Sequence, residues 1–189
     1  MVIIVSLAPT DLLIAPPNIP DERFKNSVLM LTHYDRAGAH GLCVNRPLDW
    51  TLPEILRHTN IDVSGVPPIP IYWGGPMSSK SIWMLHSPDW VCSQTVMITS
   101  AWAMTSSEEM FHCLLDQDTP RQFRLLMGYA AWGSGQLDQE LEGQGGWRQE
   151  HSWLTAHNLG PEWLFEQPVE DLWSNVVTLS SHQAVDSWL

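Results

Sequence analysis

The chain has 189 residues, 44% of them apolar, and carries 21 acidic against 9 basic side chains for a formal net charge of −12. That length buries a core without disulfides or a structural metal. The charge argues against direct nucleic-acid binding, which draws its affinity from lysines and arginines displacing counterions along the phosphates.

No apolar run approaches the ~20 residues that cross a bilayer. No lysine or arginine precedes Arg23, so the charged front of a signal peptide is missing. A cytoplasmic protein without a membrane contact is expected. Cys43, Cys92 and Cys113 form no CxxC pair, which excludes a zinc ribbon or thioredoxin-type motif and leaves reduced thiols, with no metal or cofactor expected.

In chain order, "SVLMLTHYDRAGAHGLCVNRP" (Ser27 to Pro47) sets two apolar runs around a turn, the pattern of a β-hairpin with Gly38 near its tip. "TLPEILRH" starts a helix, with Thr51 as N-cap and Glu54 three residues later. Ile69 to Trp73 reads as a strand that breaks at Gly74, Gly75 and Pro76. "SIWMLHS" and "TVMITS" read as two more. "SSEEMFHCLL" repeats the capping device with Ser106 and Glu109, placing Met110, Cys113 and Leu114 on one face. In "RQFRLLMGYAAW", the run Leu125, Leu126 and Met127 predicts burial on both faces of a strand. "PVEDLWSNVVTL" begins a helix at Pro168, with Val169, Leu172, Trp173 and Val176 at helical spacing. Hairpins and helices mix without βαβ alternation, which makes the fold α+β.

The candidate sites are few. "YAAWGSGQLDQEL" (Tyr129 to Leu141) resembles a phosphate loop or a nucleophile elbow. An elbow needs glycines two residues either side of the serine, and here Gly133 and Gly135 sit immediately beside Ser134. A Walker loop needs a lysine that is absent. The stretch is therefore expected to be a structural turn, with Gly133 and Gly135 bending the chain and Ser134 capping a helix. On that helix Leu137 and Leu141 are expected inside, and Asp138, Glu140 and Glu142 in water. His33, Asp35, His40 and Cys43 form the best metal-like group, but alternate strand residues face opposite sides, so no metal site is expected. His86 and Asp89 could make an acid–base pair with no nucleophile beside them.

Arg46 and Asn45 of "NRP", Gly74 and Gly75 of "GGP" and His33 are the candidate ligand or anion site. An arginine fork beside glycine N–H groups can hold a carboxylate or phosphate. The simpler reading gives Arg46 a core-edge partner and the glycines a turn. Of the 11 tryptophans, Trp147 and Trp153 lie near an acidic, loop-like segment and are candidate anchors of a partner surface.

"LLIAPPNIPDERFKNSV", "HYDRAGAHGLCVNRPL", "WGGP", "LHS", "MGYAAWGSGQLDQEL", "WLTA" and "LFEQPVEDLW" together resemble the AlgH/YqgE family, in order from about Leu12 to Trp173. The resemblance implies a single compact domain over residues 1–189, with a mixed or antiparallel sheet forming a partly closed β-barrel flanked by helices and a C-terminal tail at 180–189. It also implies a transcriptional regulator, through a genetic link to alginate production, with no catalytic reaction or catalytic residue to carry over. Ala131 and Ser134 stand where the family often has glycine and proline, and the loop from Glu142 to Ser152 is longer than usual.

The expected function is non-enzymatic: a cytoplasmic regulatory protein that binds another protein and affects transcription indirectly. The alternatives are a small-molecule or anion-binding enzyme using Arg46, Gly74 and Gly75, and a direct DNA-binding regulator.

Overall fold

Strand alternation sends neighbouring side chains to opposite faces, so a run apolar at every position needs a core on both sides. The Ser27–Pro47 hairpin meets that demand. In a computed structural model describing residues 7–57, 62–144 and 152–186, it forms β2 (Val28–Asp35) and β3 (Gly38–Cys43). The Asp35 carboxylate closes the turn by accepting from the N–H groups of Ala37 and Gly38 at 2.7 and 3.2 Å. Val28 and Met30 enter one core, while Leu29 and Leu31 enter another.

The other strands are β1 (Leu12–Ile14), β4 (Pro47–Thr51), β5 (Pro70–Trp73), β6 (Met77–His86), β7 (Val96–Met97), β8 (Ala103–Thr105), β9 (Phe123–Gly133) and β10 (Leu154–Ala156). They form one ten-stranded sheet whose main path is β10-β1-β2-β3-β9-β6-β8-β7, with β4 and β5 branching from β9. The sheet curls into a partly closed barrel flanked by helices, so the α+β expectation holds. Every pairing is antiparallel except β5 with β9.

The helices are α1 (Leu52–Leu56), α2 (Glu108–Leu115), α3 (Gln136–Leu141), α4 (Glu162–Phe165) and α5 (Leu172–Asp186). Helices α4 and α5 cover one core through Trp163, Leu164, Leu172 and Val176, which pack with Leu12, Ile14, Met30, Leu42 and Leu126. Leu137 of α3, with Phe24 and Trp153, covers a second core of Leu13, Leu29, Leu31, Ala130 and Trp132. Helices α1 and α2 close a third through Leu52, Leu56, Met110 and Leu114, against Ile71, Met84 and Leu125. Leu125 and Leu126 thus face different cores, as their position in an unbroken apolar run predicts.

Several boundaries differ from expectation. The Glu54 carboxylate does accept from the Thr51 N–H at 2.8 Å. Helix α2, however, is capped by Ser107, which accepts from the Met110 N–H at 3.2 Å, while the Ser106 hydroxyl donates to the Ile82 carbonyl. Helix α5 starts at Leu172 rather than Pro168, yet Val169, Leu172, Trp173 and Val176 still meet the first core. Residues 180–186, expected as a tail, continue that helix. Only Val96 and Met97 of "TVMITS" are in a strand.

The register of β9 changes at one point. Leu126 and Tyr129, three residues apart, both reach the first core, whereas strict alternation would separate them. Gly128 makes the change, with φ +75°, a left-handed conformation that side chains resist. Opposite it, five steps of β6 (Met77 to Ile82) match two steps of β9 (Tyr129 to Met127), so β6 bulges there. A Cβ on Gly128 would collide with the carbonyl oxygens of Gly75 and Met77. Gly128→Ala should therefore destabilise the fold by about 3 kcal/mol or more, read as a lower urea midpoint; a change below about 1 kcal/mol would show that the crossing tolerates a methyl group.

Candidate functional site

The "NRP" and "GGP" segments are brought close, as an anion site would require, but their backbone groups bond to neighbouring strand residues. The Arg46 carbonyl accepts from the Trp73 N–H at 2.8 Å, and the Gly74 carbonyl accepts from the Cys43 N–H at 2.8 Å. The Gly74 N–H is used by the Met127 carbonyl at 2.7 Å. Asn45 ties two strands' ends, accepting from the Val28 N–H at 2.8 Å and donating to the Asn26 carbonyl at 2.9 Å. The Arg46 guanidinium donates to the Arg23 carbonyl and lies 5.4 Å from the Trp73 ring centroid. Gly75 is buried where β6 crosses β9, and a Cβ there would strike the Tyr129 backbone.

His33 is not part of this group. It pairs across the hairpin with His40, and its Nε2 lies 3.1 Å from the Asp35 carboxylate. Arg46 lies six residues beyond His40, past the end of β3 at Cys43.

The other candidates are similarly committed. Among the described residues no three His, Cys, Asp or Glu side chains are placed to hold a metal ion. Cys43 faces the second core, and burial pushes its thiol up to about 11. His86 is fully buried, its ring bonded to the Ser87 carbonyl at 2.8 Å and the Thr105 hydroxyl at 3.0 Å, and burial lowers its pKa. Asp89 instead accepts from the Ser87 hydroxyl and the Arg121 N–H.

The turn at Gly133, Ser134 and Gly135 is built differently from expectation. Ser134 does not cap α3; its hydroxyl donates to the Arg36 carbonyl at 2.8 Å and ties the turn to the β2–β3 hairpin. Gly135 occupies the N-cap with φ +68°, and the Gln136 side chain accepts from the Gly133 N–H at 3.0 Å. The Tyr34 hydroxyl donates to Asp138 at 2.5 Å; this bond to a carboxylate, aided by partial burial, pushes the phenol up to about 12.

The main correction concerns Glu140, expected in water but only 6% exposed. Its Oε2 accepts from the indole N–H of Trp132 at 3.0 Å and of Trp153 at 2.8 Å, while Oε1 accepts from the Gln136 amide at 3.0 Å. Trp153, expected on a partner surface, is 4% exposed because that bond and the second core hold it inside. Trp147 lies outside the described residues. A signal was present in the sequence. Glu140 follows Leu137 by three residues and so shares its buried face, and buried tryptophans need acceptors for their N–H groups.

Glu140, both indoles, Phe24, Asp21 and Arg23 line a cavity of about 300 Å³. A second cavity of about 230 Å³, at the β6 bulge, is lined by Thr32, His40, Leu42, Ser78, Trp83 and Tyr129. Its aromatic rings form a ladder, His40 to Tyr129 at 5.5 Å and Tyr129 to Trp83 at 6.0 Å. The sequence also gave no sign of buried Arg124. Its guanidinium donates to the Val44 carbonyl and, at 3.2 Å, to the Leu164 carbonyl, and stacks 4.4 Å from the Tyr72 ring centroid. It fastens α4 to the sheet.

These features define a class: an α+β protein on a branched, partly closed barrel, with a cavity over a buried carboxylate. The AlgH-like family model matches residues 12–184. A UPF0301 protein of Vibrio parahaemolyticus is 32% identical over 173 residues, 87% of each chain. The solution structure of AlgH from Pseudomonas aeruginosa superposes with a TM-score of 0.74 at 30% identity, over 92% of this chain and 91% of that one. A Corynebacterium diphtheriae protein shares the fold, with a TM-score of 0.67 at 21% identity, over 90% and 86% of the two chains. The chain belongs to the AlgH-like family.

Two outcomes follow for α3. Glu140→Ala leaves both indole N–H groups without their acceptor and should cost about 2–4 kcal/mol, measured by urea unfolding, with Glu140→Gln milder because an amide oxygen still accepts. The raised Tyr34 pKa means the neutral phenol supports the fold below pH 10. That contribution should fall away between pH 10 and about 12. Tyr34→Phe should flatten this part of the alkaline unfolding curve; an unchanged curve would exclude the link.

Proposed function

We propose that this AlgH-like protein acts in the cytoplasm as a non-catalytic regulator that binds a basic protein partner, and that any effect on transcription is indirect. The observation that carries the reading is the charge of −12, which favours a cationic protein surface and repels a nucleic-acid backbone. The commitments of the candidate reactive groups support it. His86 is locked between a carbonyl and a hydroxyl, Ser134 holds a hairpin, and Arg46 braces Arg23 and Trp73.

Affinity capture from lysate with the purified protein, followed by mass spectrometry, tests it. The expected result is a specific partner with a basic surface whose binding weakens roughly tenfold or more as salt rises from about 0.1 to 0.5 M, as screening of charge pairs requires. Sequence-selective, tight retardation of DNA, or a partner indifferent to salt, would overturn the proposal.

A further inference from the structure

The Glu140 carboxylate is buried with neutral donors alone: two indole N–H groups and one amide. Removing a carboxylate from water is costly, and buried ones are ordinarily paired with a cation. No Lys, Arg or His among the described residues bonds to Glu140. The nearest candidate in the cavity wall, Arg23, is held by both oxygens of Asp21, its Nε at 2.9 and 3.1 Å and its Nη2 at 2.6 Å. Asp21 and Arg23 are paired with each other, so Glu140 is the lining carboxylate with no cationic partner among the described residues.

The walls match the same ligand chemistry. Phe24 and Trp132 flank Trp153 at centroid distances of 5.6 and 6.0 Å, both edge-to-face, so the cavity is aromatic around its carboxylate. Aromatic faces attract cations, and a planar guanidinium stacks on them better than an ammonium does. Glu140 Oε1 accepts one hydrogen bond, from Gln136, and a carboxylate oxygen has a second lone pair that a charge-assisted donor can use. At about 300 Å³ the space exceeds an ammonium group and suits a guanidinium with part of its stem.

We propose that this cavity receives an arginine side chain of the protein partner, its guanidinium paired with Glu140 and stacked between the aromatic walls. The proposal rests on the protein-binding reading and names the contact that confers specificity.

N-acetyl-arginine amide titrated into the isotopically labelled protein provides the test, with N-acetyl-citrulline amide as the uncharged isostere. The indole N–H resonances of Trp132 and Trp153 should shift saturably with the arginine probe and not with citrulline. Glu140→Gln should weaken that binding by about tenfold or more. Ala131→Trp, at an exposed position in the cavity wall, should block it with Glu140 intact. Equal shifts from both probes, unchanged affinity in Glu140→Gln, or no saturable shift in the wild type would overturn the assignment. The captured partner separates this from the broader reading. A salt-sensitive partner held equally by wild type and both variants sinks the arginine contact and leaves protein binding standing. A Glu140-dependent probe shift with no partner captured supports the cavity's chemistry and sinks the protein-binding reading.

Discussion

Strand β9 has three partners, and the whole architecture depends on how its backbone makes room for them. Its first half is sandwiched between β5, running parallel, and β6, running antiparallel. Its second half exchanges β5 for β3. The change requires a backbone crossing too close for a side chain, made by Gly74, Gly75 and Gly128. The positive φ of Gly128 moves Tyr129 onto the face that Leu126 already occupies, so the helices on that side meet an unbroken apolar surface. The branch also brings "NRP" near "GGP", where the Arg46 carbonyl accepts from Trp73 and the Gly74 carbonyl accepts from Cys43.

The second organising feature is the attachment of α3. The helix is only six residues long, too short to be stable alone. It is fixed by Leu137 in the core, by Tyr34 bonded to Asp138, and by Glu140 bonded to two tryptophans. These bonds draw Trp153, just before β10, onto β9, and leave a cavity beside the carboxylate. Arg124 does the equivalent on the other face, where a buried guanidinium finds two carbonyls and a tyrosine ring instead of an acid. Arg124 and Glu140 thus both act as fasteners, and Glu140 borders the cavity of about 300 Å³. The α3 side offers a cavity for an external group, whereas at the Arg46 turn the guanidinium is held by the Arg23 carbonyl and the Trp73 ring and the Gly74 N–H by the Met127 carbonyl.

Much of the fold could be read directly from residues. The hairpin at 27–47 follows from two apolar runs around Asp35 and Gly38, and the capping role of Glu54 from its spacing to Thr51. The continuous Leu125–Met127 run signalled burial on both faces. Boundaries were harder: Ser106 and Ser107 are equally good caps by type, and only packing of Ser106 against β6 decides between them. The site was least legible. Glu140 looked like one more member of an acidic turn, because acceptors for the tryptophan N–H groups come from residues 8 and 13 positions away.

By itself the sequence determined the α+β class, the net charge and the local turns and strands, since these depend on side-chain type and on spacing within a few residues. Tertiary structure alone decided that β9 would branch, that the Arg46 and Gly74 carbonyls would find Trp73 and Cys43, and that two distant tryptophans and a cavity would meet at Glu140. Those outcomes depend on which distant backbones approach each other and on which buried donors lack a nearer acceptor, and no local pattern encodes either.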